Sequence, residues 1–294
     1  MRALVALAPC LALAACDDGL AVAADASARA MDAAVTDHPA ALDRADPLDV
    51  TASADDVSPD PLDAPRVIAP CDPWSPDAGV SVRGRADDYG PGGPGLRGAV
   101  VRALEHPERC ATLDGSGDFV LGGFAPGEDV SVTLEHPDYP PIQTGTHTVP
   151  SGGITGITFQ APSYGMYRVM QTATRIVAQR DRCQIATTVT AVGLSLDSPV
   201  PSHGVAGATV TIEPTPAEGF GPIYFQYYGP GSILPDRSLT QTTRDGGVLW
   251  LNVPAGDYVL TAHEDGMRFT QARFRCRAGW LVNASPPMGL QAVP

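Results

Sequence analysis

Histidine, aspartate, cysteine and tyrosine are the side chains through which this 294-residue chain could do chemistry, and their spacing limits what that chemistry could be. The six His are scattered. No His-Glu-x-x-His puts two imidazoles on one helix face, and His263-Glu264 has no second His one turn on. No Gly-x-Ser-x-Gly elbow or glycine-rich phosphate loop occurs. All nineteen basic residues are Arg, so chemistry that needs a lysine amine, a Lys–Asn cross-link included, is excluded. Asp114 and Asp118 in Asp-Gly-Ser-Gly-Asp have the look of a calcium loop, yet the matching stretch at Asp245 brings no further carboxylates, which favours a plain turn. No two of Cys71, Cys110, Cys183 and Cys276 are close in sequence, and no His flanks them at ligand spacing. No metal, cofactor or catalytic residue is therefore expected, and the chain reads as a non-enzyme.

Five aromatics form the one dense cluster in a chain with only 6% Phe, Trp and Tyr. Phe220, Tyr224, Phe225, Tyr227 and Tyr228 fall within a Gly- and Pro-rich segment, 216–236. Two readings are open. The rings could present stacking faces and hydroxyls to a polysaccharide or an envelope protein, or form an extra hairpin that covers one open side of a β-domain, since Ile223, Phe225 and Tyr227 alternate.

The elements that would carry these residues are strands. Thr243 to Ala262 reads as an Asp-Gly turn, an apolar strand, a Pro-Ala-Gly turn and a second strand, and Leu113 to Leu134 is a looser copy. Gly246 and Gly115 are the residues expected to take the positive φ of the turns, with Val248 and Trp250, or Phe119 and Leu121, alternating with outward neighbours. Few aromatics, 31 Gly and 29 Pro point to an all-β class with many turns. Ser163 to Arg180 is the best helical stretch. Met166, Met170, Ala173 and Val177 recur at helical spacing, Tyr167 and Ile176 widen the stripe, and Ser163 stands where a cap would.

Gly84, Gly95-Leu-Arg-Gly-Ala-Val-Val101, Asp114-Gly-Ser-Gly-Asp-Phe119 and Pro126-Gly127 resemble the carboxypeptidase regulatory-like domain. His203-Gly-Val-Ala-Gly-Ala-Thr-Val-Thr-Ile212, Asp245-Gly-Gly-Val248 and Pro254-Ala-Gly-Asp-Tyr258 resemble it a second time. The resemblance implies two transthyretin-like Greek-key β-sandwiches, also grouped with carbohydrate-binding-like folds, at 67–162 and 182–294 with a helical connector at 163–181. It is nearly silent on function, because such modules occur in peptidases, receptors and surface proteins alike. Intradiol dioxygenases share a related sandwich, and an enzyme with an unrecognised site is the remaining alternative, but their His-x-His iron ligands are missing here. Four cysteines allow three pairings. One bridge within each repeat selects Cys71 with Cys110 and Cys183 with Cys276.

Met1-Arg2 and the apolar run to Ala15 form an export signal too short to span a bilayer. Leu13-Ala-Ala-Cys16 resembles the bacterial lipobox, which implies cleavage at 15, acylation of Cys16 and membrane attachment; the alternative is an ordinary signal peptide cut later, after Ala21-Val22-Ala23, with Cys16 discarded. Asp17 would retain such a protein at the inner membrane under the enterobacterial rule, which fails in other lineages, so the outer membrane or cell surface is expected. Residues 16–66 are rich in Ala, Asp and Pro and cannot bury enough apolar surface to order, so they read as a disordered tether with a reach of about 40 Å. Most of the formal −14 charge lies there, and nucleic acid is an improbable partner for so acidic a chain. The resulting expectation is a non-catalytic lipoprotein of the cell envelope, serving as a structural or protein-interaction module or, alternatively, as a carbohydrate-binding module.

Overall fold

The computed structural model describes residues 67–72, 79–90, 93–196, 198, 203–229, 232–285 and 289–294; the signal segment, Cys16 and the tether lie outside them. Strands dominate. They are β1 (Val80–Asp88), β2 (Val100–Ala103), β3 (Cys110–Thr112), β4 (Asp118–Phe124), β5 (Asp129–His136), β6 (Tyr139–Thr148) and β7 (Ile154–Ala161). Helix α1 (Tyr164–Thr174) follows, and then β8 (Cys183–Thr190), β9 (Thr209–Glu213), β10 (Phe220–Gly229), β11 (Ser232–Asp236) and β12 (Gly247–Val253). The chain closes with β13 (Gly256–His263), β14 (Arg268–Phe269), β15 (Ala272–Cys276), β16 (Leu281–Asn283) and β17 (Leu290–Val293).

In the first half, β4-β1-β7 face β3-β2-β5-β6. Phe119, Leu121, Val130, Val132, Leu134, Ile157 and Phe159 meet between them in one core. Val120, between two of these, is half exposed, so the alternation read from the sequence holds on β4. In the second half, β9-β13-β15 pack on the sheet that contains β12 and β8, around Ile185, Val189, Trp250, Leu260 and Phe274. Here the alternation fails. All seven residues of β12 are buried, because Val248 and Trp250 fill the sandwich while Leu249 and Leu251 face a third cluster with Ile176, Ile223 and Phe225. A strand covered on both faces reads as a continuous apolar run.

The two sandwiches share a sheet. The order β11-β10-β12-β8-β16-β6-β5-β2-β3 runs unbroken from the second half into the first, and β16 is the join. It lies parallel both to β8 (Val282 opposite Ile185) and to β6 (Val282 opposite Gln143). Its alternation serves both halves: Leu281 belongs to the first core and Val282 to the second. Gln143, 1% exposed, is satisfied across the seam, donating to the Arg275 carbonyl (2.6 Å) and accepting from Arg277 Nε (2.7 Å). Arg273 adds an ion pair to Asp129 (2.5 Å), exposed and therefore a minor stabilising contact.

Both expected disulfides are formed, with Cα–Cα distances of 5.8 Å for Cys71–Cys110 and 5.9 Å for Cys183–Cys276. The helix is shorter than its sequence stripe. Ser163 caps it as expected, accepting from the Met166 N–H, but Arg175 turns left-handed (φ 56°) and ends it. Beyond that point Asn252 takes over the backbone: its amide donates to Val177 O (3.0 Å) and accepts from Gln179 N–H (2.8 Å). Val177 consequently points outward, 70% exposed.

A chain tied this way should unfold as one unit. Leu281→Ala is expected to cost about 2–5 kcal/mol and to shift a single urea transition followed by Trp fluorescence. Two separated transitions would contradict the fusion. Replacing Cys183 and Cys276 by Ala should lower stability by up to about 4–5 kcal/mol, since the bridge closes a long loop, read as a fall in urea midpoint.

Candidate functional site

The two repeats build the same backbone crossing, and the comparison isolates what differs. Ala86 N–H donates to Gly117 O and Val189 N–H to Gly246 O, both at 2.9 Å. Leu96 N–H donates to Ala86 O and Val205 N–H to Val189 O, again 2.9 Å. In each repeat a glycine lies so close to the turn that a Cβ would clash, 2.5 Å from Gly117 N at Gly95 and 2.4 Å from Gly246 N at Gly204. The turn glycines with positive φ are thus Gly117 and Gly246, both at 78°, and not Gly115.

This register corrects the pairing of the motifs. Asp114, whose carboxylate accepts from Ser116 N–H (2.8 Å), matches Thr243, whose hydroxyl accepts from Asp245 N–H (3.4 Å). Asp245 therefore stands where the first repeat has Ser116. By the same register His203 stands where the first has Pro94, since Asp88 N–H donates to Pro94 O and Ala191 N–H to His203 O, both at 3.0 Å. Ser116 is exposed, whereas Asp245 is 6% and His203 4% exposed.

Asp245 and His203 face a cavity of about 110 Å³ between α1, the shared sheet and the β1–β7 edge of the first sandwich. Tyr167 and Met170 come from α1, Phe225 from β10, Leu249 from β12, Leu281 from β16 and Tyr89 from the end of β1. The exposed wall surface is mostly apolar, and the polar side chains on it include Asp245, with His203 and Tyr89 near it, and Asn283, Gln160, Gln171, Thr187, Thr188 and Ser285. Asp245 Oδ2 accepts from Gly247 N–H at 3.1 Å. A Cβ at Gly247 would lie 2.5 Å from that oxygen and 2.9 Å from the Phe225 ring, so glycine there lets carboxylate and ring approach each other. His203 Nδ1 is 3.1 Å from Ser198 O. Burial pushes the Asp245 carboxyl above its ordinary range, with the His203 charge and the Gly247 N–H acting against that rise. Burial and the nearby Asp245 charge push the Tyr89 phenol up.

The five aromatics do not form one surface. Tyr224 and Phe225 are buried, on opposite faces of β10: Tyr224 enters the second core and its hydroxyl accepts from Val210 N–H (3.2 Å), while Phe225 lines the cavity. Tyr227 is half-buried. Phe220 and Tyr228, at the two ends of β10, are 47% and 60% exposed, and Tyr228 donates to Asp236 (3.2 Å). The segment is a β10–β11 hairpin that widens the shared sheet. Among the described residues, no group of three or more His, Cys, Asp or Glu is placed to hold a metal ion. Sequence reading passed over His203, Asp245 and Tyr89. The usable signal was a register that pairs Asp114 with Thr243 and so leaves Asp245 unmatched.

No protein-family profile matches the chain, and no curated protein matches its sequence. Among solved structures it is similar to the Bacillus anthracis TIE protein, at 14% identity and TM-score 0.22 over 69% of this chain and 33% of that one. It is also similar to the minor pilin of Streptococcus agalactiae, at 11% identity and TM-score 0.22 over 73% and 97% of the two chains. A candidate carbohydrate-binding protein of Bacteroides uniformis gives 11% identity and TM-score 0.25 over 69% and 98%. The chain thus spans about a third of the length of the first of these.

The buried carboxyl has a consequence for stability. Because its folded pKa is raised, the native state holds a proton that the unfolded state has already released, and stability falls as pH rises from the unfolded value through the folded one. Asp245→Asn, which can still accept from Gly247, should remove that slope. In urea titrations from about pH 4 upward, the wild type should lose stability relative to the variant; parallel curves would contradict the assignment.

Proposed function

We propose that this chain is a non-catalytic structural or protein-interaction module of the bacterial cell envelope. Export would be directed by the leading apolar segment, and Cys16 would carry the lipid that holds the protein at the outer membrane or cell surface. The acidic segment 16–66 would then set the sandwiches off the bilayer. The observation that carries this reading is the insertion of β16 between β8 and β6, which turns two sandwiches into one hydrogen-bonded body suited to bearing load or presenting a fixed surface. Two disulfides, one in each half, fit an oxidising compartment.

The anchoring step is tested by mass spectrometry of the mature protein from membranes. An acylated amino-terminal Cys16 is expected, and an unmodified start near Asp25 would refute it. Crosslinking in intact cells should capture an envelope protein as partner. Binding to a polysaccharide that disappears in a Tyr227→Ala, Tyr228→Ala double variant would replace the interaction reading with a carbohydrate-binding one.

A further inference from the structure

We propose that the cavity beneath α1 binds a small primary amine, whose ammonium group pairs with Asp245 while its apolar body lies against Met170, Phe225, Leu249 and Leu281. The proposal is independent of where the protein is anchored.

The first argument is internal to the molecule. The same crossing is built in the first repeat with Ser116 and Pro94, so neither a carboxyl nor an imidazole is needed to form it. Asp245 is a departure from that shared frame, and it lies where the second crossing borders the cavity.

The second argument is electrostatic. A carboxylate that is 6% exposed is costly unless paired. Here Gly247 N–H supplies a hydrogen bond and His203 a partial compensation, yet the carboxyl still lies above its ordinary range because burial outweighs both. No Arg is among the described residues lining the cavity, and the chain has no Lys. The permanent cation that would settle this carboxylate is thus not supplied by the walls. A ligand ammonium would supply it, whereas an anionic ligand would be repelled.

The third argument is size and surface. An engineered apolar cavity of about 150 Å³ accepts benzene. On that scale the 110 Å³ here holds an apolar body on the order of four or five heavy atoms. The side chains of Met170, Phe225, Leu249 and Leu281 together with the Asp245 carboxyl match a short branched alkylamine, and a volume of this size excludes a sugar ring with its substituents.

The test uses the full ¹⁵N-labelled chain at pH 8, titrated separately with isobutylamine, isobutanol and isobutyrate, which share one apolar body. Isobutylamine should shift the amides of Thr188, Gly246 and Gly247 with an affinity about tenfold above that of isobutanol, and isobutyrate should leave them in place. Asp245→Asn should reduce the amine to the affinity of the alcohol while leaving alcohol binding intact. Met170→Trp, which fills the cavity from the helix side, should abolish both, and decides the matter if the Asn variant fails to fold. Equal affinity for amine and alcohol, an amine preference that survives in Asp245→Asn, binding unaffected by Met170→Trp, or no shift at these amides would each overturn the proposal.

Discussion

Three residues of β16 hold the molecule together. Backbone N–H and C=O groups buried between two domains must find partners, and a strand satisfies them on both edges at once. Leu281 to Asn283 do so, with β8 on one side and β6 on the other. Because successive side chains leave a strand in opposite directions, the same short segment plugs Leu281 into one core and Val282 into the other. Packing in either sandwich is therefore felt by both. The seam is also selective: Gln143 is buried with its amide groups satisfied only from the second sandwich, so a slipped register would strand a polar side chain.

Sharing a sheet changes what its strands must be. In a lone sandwich the outer face of β12 would meet water. Here that face is roofed by α1 and flanked by the first sandwich, which explains why β12 is apolar on both sides and why Ile223 and Phe225 of the hairpin turn inward. The roof is imperfect. Beneath Tyr167, Met170 and Gln171 of α1, the helix, the sheet and the residues following β1 leave the cavity that Asp245 lines.

The two repeats then act as each other's control. Their crossing hydrogen bonds coincide to within 0.1 Å at several positions, so what they share is scaffold. Ser116 faces solvent in one, and Asp245 is buried beside His203 and Tyr89 in the other. The difference lies in side chains alone, since the backbone crossing is the same with either set.

Strand class, hairpin turns and the Ser163 cap were written in local patterns: period-2 alternation on β4, Asp-Gly and Pro-Gly turns, a serine three residues before the N–H it accepts. These depend on neighbours a few residues away, although the positive φ fell at Gly117 and not at the expected Gly115; counting left three cysteine pairings open, and only the resemblance of the two repeats chose the pair that formed in each. Others could not be read locally. The apolar run of β12 looks alike whether one face or two are covered, the stripe of α1 continues to Val177 although the helix stops at Thr174, and five aromatics near one another in sequence part to opposite sides of one strand. The site depended on still longer reach, since Tyr89 comes from the first repeat and His203 and Asp245 from the second, and one cavity brings them together only in the folded chain. Local sequence determined which elements form, and tertiary contact alone decided which of their faces would be dry, because burial is a property of what packs above a residue and not of the residue itself.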